Sequence, residues 1–540
     1  MTPIFRKTPS SAPAPEPAQA VWGRMNWLLL LVTFGLTAVL QVLVAGRSGL
    51  WADEVFSLAL ATGHSLEHAA AVADPRRGDF VEPNHPVPAA EFSRYLKHDD
   101  PPANPARVVR AVLLSDTNPP LYYLLLYGWT IALGTSDIAL RLFSIMCALA
   151  CLPLLAGIAR RTGAEVFSSC VLFAFSPLGI YYSTEGRMYS LLWLCVLATT
   201  WASLVLQQHG EGIAIYALWI LASVAGFLTH YFFVFPWLAV VTYLSIASGK
   251  LTKLKLAVCL LVTVILILQW YIKLPESLAT WRITKDWLKW RPPGFYRSVA
   301  SLDLVVQPFS GGDNRTSNTA AAILFGLIGI AMVSRLRIQV FGKHRLLLWL
   351  SFTAACLGPL AFDLVQHTYT VAVPRYAVAA LPFAYLLAGV GLACLSRHTR
   401  FIMLILIIAA WAPTTLGIYR SRWRGWSPLR EISHAACASA GPSNLILIHS
   451  IPSGVLGIAR YAHDSAGLAS WVGQLGTRRV PESLHELASG RTRIVLVKVH
   501  EVGELAPEED WLRADAVVFG ETDLGSGKIV EFRPRDAKTF

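Results

Sequence analysis

Eleven long apolar runs dominate this 540-residue sequence and constrain its fold more than any other feature. A helix needs about 20 predominantly apolar residues to cross the hydrocarbon core of a bilayer. Charged residues make up only 15% of the chain, whereas a typical soluble domain carries about 25%. The pattern excludes an ordinary soluble enzyme, a disordered chain and a disulfide-stapled secreted module. It predicts an all-α polytopic membrane protein with about 11 transmembrane helices, at 27–45, 138–159, 164–183, 188–207, 213–230, 232–248, 256–274, 319–334, 345–364, 376–395 and 401–419.

Basic clusters between the runs predict the orientation. Cytoplasmic loops of membrane proteins are enriched in Lys and Arg. If the N-terminus is cytoplasmic, four clusters on alternate connections face the cytoplasm together, at 160–161, 250–255, 335–345 and 397–400. This arrangement places the C-terminus outside and explains the net charge of +12 without a nucleic-acid surface. It also requires the short apolar run 119–133 to lie at the outer interface, because another span would reverse every later cluster.

Composition divides the chain into three parts. Residues 1–23 are rich in Pro, Ala and Ser, and we expect a disordered cytoplasmic N-terminus. Residues 24–424 form the predicted transmembrane domain, with large outer loops at 46–118 and 275–318. Residues 425–540 carry 12 Lys and Arg but 14 Asp and Glu, unlike the basic remainder. Short apolar runs alternate there with helical stretches, which predicts a small extracytoplasmic α/β domain.

Polar and aromatic residues gather at the predicted outer ends of the spans. Asp53 and Glu54 follow the first span, and Glu185 lies between the third and fourth. Each has an ordinary alternative, because acidic residues are favoured at a helix N-terminus and Glu185 could pair with a neighbouring arginine. A histidine or arginine at a span end could equally be an interface anchor. The other candidates at these ends and in the second loop are Asn118, Tyr182, Arg187, His230, Tyr231, Arg282, Arg375 and Tyr376.

These residue types fit one chemistry. A carboxylate can take a proton from an acceptor hydroxyl, and the candidates are Asp53, Glu54 and Glu185. Arginine guanidinium groups can hold a departing phosphate. We therefore predict sugar transfer from a lipid-linked phosphate on the non-cytoplasmic side. No nucleotide motif competes with this reading, because the sequence Gly-Ser-Gly-Lys at 525–528 lacks the upstream Gly and the following Ser or Thr of a phosphate loop.

Five motifs occur in a defined order along the transmembrane part. They are Leu50-Trp-x-Asp53-Glu54-x-x-Ser57, Asn118-Pro-Pro-Leu-Tyr-Tyr123, Arg141-Leu-Phe-Ser144, Ser176-Pro-x-x-x-Tyr181-Tyr-Ser-x-Glu185-x-Arg187-Met-Tyr189, and Arg375-Tyr376 with Leu381-Pro382. In content and order they resemble bacterial GT-C glycosyltransferases, membrane enzymes similar to protein O-mannosyltransferases and the lipid A aminoarabinose transferase. The resemblance covers about residues 24–420. It implies a GT-C-like fold in the bacterial inner membrane, a polyprenyl-phosphate-linked sugar donor, and transfer at the outer face with the C-terminus in the periplasm.

The resemblance also implies roles for single residues. Asp53 matches the family's first-loop catalytic acid, and Arg375 lies where a phosphate-binding arginine is expected, beside Tyr376. Some relatives have Lys directly before the Pro-Pro, where this chain has Asn118. The phosphate-binding cation therefore stays open among Arg375 and the arginines at positions 187 and 282. A divalent metal beside the first-loop carboxylates also stays open, because the ligand spacing does not specify one.

Two other functions fit the sequence less well. A transporter or lipid flippase typically shows matched halves and ionisable groups in mid-membrane, and the sequence shows neither. A membrane anchor for residues 425–540 would need only one helix. The sugar, a hexose or a pentose, and the acceptor, a protein, a lipid or a polysaccharide, stay unspecified. Residues 425–540 match no catalytic module, so we expect no catalytic residue there.

Overall fold

The structure is a computed structural model that is mostly helical. It describes residues 24–115, 118–209, 212–279, 294–312, 315–333, 344–425, 427–439, 444–463, 467–500, 506–535 and 539–540. The helices before the tail are α1 Arg24–Ala45, α2 Ala52–Ala61, α3 Ala89–Ser93, α4 Pro105–Ser115, α5 Leu121–Leu133, α6 Asp137–Thr162, α7 Val166–Phe175, α8 Pro177–Ser183, α9 Tyr189–His209, α10 Ile213–Phe227, α11 Val234–Ala247, α12 Lys250–Tyr271, α13 Leu274–Ala279, α14 Gly294–Ser310, α15 Arg315–Val333, α16 Arg345–Gln366, α17 Leu381–Ala393 and α18 Arg397–Arg420.

Seven helices within the described ranges are long and apolar enough to cross a membrane. They are Leu28–Ala45, Asp137–Thr162, Tyr189–Gln207, Thr252–Ser277, Arg345–Gln366, Pro374–Ala393 and Arg397–Arg420. The bent pair α7 and α8 would make an eighth. The chain is therefore a multi-pass membrane protein, as predicted, but the count of about 11 spans is not confirmed.

One reason for the difference is a break inside the predicted span 164–183. Ser176 ends α7, and its Oγ accepts a hydrogen bond from the Gly179 N–H in the first turn of α8. Pro177 at the start of α8 has no N–H with which to continue the hydrogen bonds of α7. The two helices consequently meet at 61°. Hydropathy records the polarity of this run but not its bend.

A second reason, for two further runs, is helix length. The runs 213–230 and 232–248 form α10 and α11, of 15 and 14 residues. At about 1.5 Å per residue, such helices are shorter than a bilayer core of about 30 Å. The run 119–133 forms the 13-residue α5, and its position at the outer interface stays a prediction.

Residues 425–540, called the tail below, fold into an α/β unit as predicted. Its elements are α19 Leu429–Ser439, β2 Asn444–His449, α20 Pro452–Tyr461, β3 Gly467–Trp471, α21 Glu482–Ala488, β4 Arg493–Val499, α22 Pro507–Asp515, β5 Ala516–Asp523 and β6 Gly527–Pro534. The sheet order is β1-β3-β2-β4-β6-β5, with β2 parallel to both of its neighbours. The edge strand β1, Val87–Pro88, comes from the segment 46–118 and pairs antiparallel with β3.

The central strands join the tail to the membrane part. Successive side chains of a strand point to opposite faces of its sheet. On β2, Ile446 and Ile448 pack into the main core shared with the transmembrane helices, whereas Leu445 and Leu447 pack into a separate core of the tail. Glu82 of the segment 46–118 adds a polar contact, because its Oε1 accepts a hydrogen bond from the Val472 N–H at 2.9 Å. The boundary at 424/425 stays a prediction, but the sheet itself draws on both sides of it.

Candidate active site

Asp53 and Arg375 meet at one end of the helical bundle. Asp53 lies in the first turn of α2, and Arg375 lies in the 3-10 turn Pro374–Ala380 that leads into α17. Arg375 Nη1 donates to Asp53 Oδ2 at 2.8 Å. The two side chains keep 21% and 30% of their surface exposed, for Arg375 and Asp53 respectively. This is a charged pair that an approaching ligand can reach.

The Arg375 guanidinium also lies against two aromatic rings. Its Cζ is 6.0 Å from the centre of the Trp51 ring and 5.7 Å from that of Tyr376, and such contacts favour a cation. Gly425 packs against the Trp51 ring, since a Cβ at position 425 would lie 2.3 Å from Trp51 Cε3. Asp363 orders the loop before Arg375, because its fully buried carboxylate accepts hydrogen bonds from the backbone N–H groups of residues 370 and 371.

Glu54 points away from Asp53 and lies wholly inside the protein. Its carboxylate accepts from Arg141 Nε at 2.7 Å and from Arg141 Nη2 at 2.5 Å, and both side chains are 0% exposed. It also accepts from the Gly186 N–H at 2.7 Å and from the Trp51 N–H at 3.3 Å. The two adjacent carboxylates therefore have different partners, as expected for neighbours about 100° apart on a helix. Glu54 joins α2, α6 and the turn before α9.

Glu185 lies in that turn and is buried. Both carboxyl oxygens are enclosed, and neither has a hydrogen-bond partner among the described residues. Burial, reinforced by the charge of Glu54, raises the pKa of Glu185 from 4.5 to about 8. The group is therefore protonated at neutral pH. Arg187, two residues later, donates to Ser57 Oγ at 3.0 Å and to the Asp53 carbonyl at 3.4 Å.

Arg424 is a buried cation that the sequence analysis did not single out. Its guanidinium donates to the Tyr181 carbonyl at 3.1 Å and to Thr184 Oγ1, and it lies 5.4 Å from the centre of the Tyr181 ring. Burial lowers the pKa of Arg424, and the charge of Arg141 acts in the same direction. In the sequence it belongs to a basic segment after the last span, which is typical of an anchor. Its burial beside Glu185 appears only in the fold.

The predicted pocket residues divide into two groups. His230 is buried, and its ring lies 6.4 Å from that of Tyr376, beside Arg375. Burial lowers the pKa of His230 from 6.5 to about 3, so the ring is neutral. Tyr182 is also buried and packs edge-on against Tyr189 at 5.1 Å.

The remaining candidates are Tyr231, Asn118 and Arg282. Tyr231 accepts a hydrogen bond from Trp270 Nε1 at 3.2 Å, which turns it towards α12. Asn118 lies partly buried just before α5. Arg282 falls outside the described residues. No group of three or more His, Cys, Asp or Glu side chains in the described ranges could hold a metal ion, and the Glu54 oxygens are already engaged by Arg141.

An apolar crevice opens beside the Arg375 turn. Its walls come from α8, α14 and the turn Pro374–Ala380, and they are mostly aliphatic or proline side chains that suit a hydrocarbon. The main lining residues are Leu178, Tyr182, Leu304, Pro308, Pro374 and Val378.

Comparison with solved structures identifies the fold. ArnT from Cupriavidus metallidurans bound to undecaprenyl phosphate is 14% identical, with a TM-score of 0.56 over 96% of this chain and 100% of that one. Its apo state gives 13% identity and a TM-score of 0.53, over 94% and 98%. The chain has the GT-C fold. The archaeal oligosaccharyltransferase AglB of Archaeoglobus fulgidus is 11% identical, with a TM-score of 0.47 over 88% and 70%. No family model and no curated protein matches the sequence.

The tail also approaches the Asp53 end of the bundle. His500, at the end of β4, is hydrogen-bonded through Nε2 to Ser427 Oγ and has a left-handed φ of 54°. Burial lowers the pKa of His500, whereas the charge of Asp53 raises it. His449 makes a separate buried pair with Glu508 at 2.5 Å. That the tail lacks a catalytic residue stays a prediction.

Proposed function

We propose that the protein is a membrane glycosyltransferase that moves a sugar from a polyprenyl-phosphate donor to an acceptor hydroxyl. The observation that carries this proposal is the ion pair between Asp53 and Arg375. The Asp53 carboxylate, which can accept a proton, lies 2.8 Å from the Arg375 guanidinium, which can bind phosphate. Both side chains remain partly exposed. The GT-C fold supports the same reaction class.

Proton and charge transfer follow from this geometry. The Asp53 carboxylate takes the proton of the acceptor hydroxyl while the hydroxyl oxygen forms a bond to the anomeric carbon. The bond from that carbon to the phosphate oxygen breaks, and its electron pair leaves with the polyprenyl phosphate. Arg375 stabilises the negative charge that develops on the leaving phosphate. Asp53 is thus the base, and Arg375 is the phosphate ligand.

The surroundings of Arg375 support a lipid-linked donor. A small apolar crevice begins at Pro374, next to Arg375 in the chain, so apolar side chains border the proposed phosphate site. The ArnT structure with the same fold is bound to undecaprenyl phosphate. We therefore propose a polyprenyl phosphate of this kind as the carrier here.

Other candidate residues take supporting roles in this proposal. Glu54 orients α2 through Arg141 and does not meet substrate. Glu185 stays neutral beside Asp53, which avoids a second negative charge where the base must ionise. Arg187 shares the phosphate side with Arg375 and fixes α2 through Ser57.

We further propose that the reaction occurs on the outer face of a bacterial inner membrane, with the tail in the periplasm. Cys437 of α19 reports the side of the tail, because its side chain is partly exposed. In a variant that keeps only this cysteine, a membrane-impermeant thiol reagent should label intact cells or spheroplasts. Labelling only after membrane disruption would place the site on the cytoplasmic side.

The activity itself is tested by mass spectrometry of envelope glycoconjugates and lipid-linked sugars, with and without the gene. A sugar should disappear from a protein, lipid or polysaccharide, and its polyprenyl-phosphate form should accumulate. Asp53→Asn should reproduce the deletion. Glu165→Gln is the matched control, because Glu165 forms a 3.4 Å ion pair of similar exposure with Arg400, away from the site. Identical profiles with and without the gene would refute the proposal.

A further inference from the structure

A tyrosine of the tail is hydrogen-bonded to the segment that carries Asp53. Tyr461 is the last residue of α20, and its hydroxyl oxygen accepts a hydrogen bond from the Leu50 N–H at 2.7 Å. The same hydroxyl donates to Asp137 Oδ2 at 2.5 Å. Leu50 is buried and lies three residues before Asp53. Tyr461 therefore bridges the start of the Asp53 segment and the first turn of α6.

A second tail residue fixes Asp137 in place. Arg460 Nε donates to Asp137 Oδ1 at 2.8 Å, and Arg460 Nη2 donates to the Thr135 carbonyl at 2.7 Å. Both oxygens of the Asp137 carboxylate are thus occupied by the tail. Burial and the Asp137 charge raise the pKa of Tyr461, so its hydroxyl stays protonated and able to donate.

The packing of the tail leaves no room for a side chain at Gly49, the residue before Leu50. A Cβ on Gly49 would lie 2.7 Å from Arg430 Cβ and 3.3 Å from both Cζ and Oη of Tyr461. Contacts under 3.0 Å force a neighbour to move, and here the nearest atom is close to the backbone of α19. Residue 49 is therefore glycine because the tail lies directly against the chain.

The Asp53 segment is thus held from two sides. From the membrane part, Arg141 donates to the carbonyls of Ala45, Ser48 and Gly49. From the tail, Tyr461 accepts from Leu50. Asp53 lies three residues after Leu50, so a displacement of this doubly bound stretch also displaces Asp53. A displacement of about 1 Å at a reacting group can cost 10²-fold in rate.

We propose that Tyr461 is a positioning residue for the reaction: through Leu50, the tail sets where the Asp53 carboxylate lies relative to Arg375. The expected effect of Tyr461 on sugar transfer rests on the proposed function, whereas its effect on the position of the Asp53 segment does not. It gives the tail a role in catalysis without placing a tail residue on the substrate.

Amide hydrogen exchange on the full-length protein in lipid nanodiscs tests the structural part. Tyr461→Phe keeps the ring and removes only the hydroxyl, so the Leu50 N–H loses its partner. Exchange in the peptide containing residues 50–55 should become about ten-fold faster or more. Thr477→Val is the matched control, since Thr477 Oγ1 contacts Glu82 across the same tail–loop boundary but at the far edge of the sheet. Its exchange at residues 50–55 should equal that of the wild type.

Sugar transfer and carrier binding test the catalytic part. Tyr461→Phe should lower transfer to envelope glycoconjugates by about 10-fold to 100-fold. Binding of undecaprenyl phosphate to the nanodisc-embedded protein should stay within two-fold, because Arg375 is untouched. Gly49→Ala, which pushes the segment off the tail, should act in the same way at equal abundance.

The results separate this inference from the proposed function. Unchanged exchange at residues 50–55 in Tyr461→Phe overturns the inference, and so does an equal change in Thr477→Val. Faster exchange with unchanged transfer also overturns it. A wild-type protein that neither binds undecaprenyl phosphate nor alters any glycoconjugate refutes the proposed function, while the exchange comparison still decides whether Tyr461 positions the segment.

Discussion

Arg375 and Asp53 form an ion pair although 322 positions separate them in the chain. The pair has a direct consequence for the proposed reaction. A donor phosphate that binds Arg375 competes with the Asp53 carboxylate for the same guanidinium. In the proposed reaction, donor binding is therefore expected to weaken the ion pair and leave the Asp53 carboxylate more available as a base.

Asp53→Asn should separate binding from chemistry. Asparagine cannot accept the acceptor proton, so transfer should fall by about 10²–10⁴-fold. The affinity for undecaprenyl phosphate should be unchanged or higher, because Arg375 no longer has a competing carboxylate. Titration of nanodisc-embedded protein with the labelled lipid measures this, with Glu165→Gln as the control. Near-normal transfer would show that the Asp53 carboxylate is not the base.

Arg375→Ala should weaken donor binding. Loss of a charge-assisted hydrogen bond costs about 1.5–3 kcal/mol, which corresponds to an increase of about 10- to 100-fold in the Kd for undecaprenyl phosphate and in the apparent KM for the donor. Arg375→Lys should recover only part, because an ammonium lacks the bidentate fork. Arg400→Ala, which removes the ion pair to Glu165, should leave both constants unchanged. A normal Kd in Arg375→Ala would assign the phosphate to Arg187 or Arg282.

Glu185 should make stability depend on pH. Because its pKa is raised from 4.5 to about 8 in the folded protein, the folded chain keeps a proton that the unfolded chain has lost in this range. The stabilisation is fully present below about pH 4.5 and declines as the pH rises through 8. Glu185→Gln mimics the protonated form, so its Tm should exceed that of the wild type at pH 9 but not at pH 5. A constant difference in Tm between these pH values would contradict a buried, protonated Glu185.

The buried pair of Glu54 and Arg141 should contribute more to the stability of the protein than the partly exposed pair of Asp53 and Arg375. Removing one partner leaves an uncompensated buried charge, which costs about 3–5 kcal/mol. Glu54→Ala and Arg141→Ala should each lower the Tm sharply, and the double variant should lose less than the sum of the two. Arg375→Ala breaks a partly exposed pair and should shift the Tm little. Additive effects at Glu54 and Arg141 would show that the two side chains do not depend on each other.

The sequence alone determined that this is a membrane protein, and it singled out Asp53 and Arg375 as candidates for one site. Apolar runs of spanning length require a membrane protein because water cannot solvate them. The basic clusters predict which span ends face the cytoplasm, and this orientation puts Asp53 and Arg375 on the same side of the bilayer. The α/β character of the tail is likewise visible in its short apolar runs, since strand and helix periods differ.

Only the tertiary structure showed where the helices break and which partners the charged residues have. Helix breaks such as the bend at Ser176 depend on backbone hydrogen bonds that hydropathy does not record. The sequence analysis offered Glu54 as a catalytic carboxylate, and nothing in its local motif reveals that Arg141, 87 positions away, occupies both oxygens. Tyr461 is more distant still from Leu50. Hydrogen bonds and ion pairs act over about 3 Å of space, and the chain brings such pairs together only when it folds.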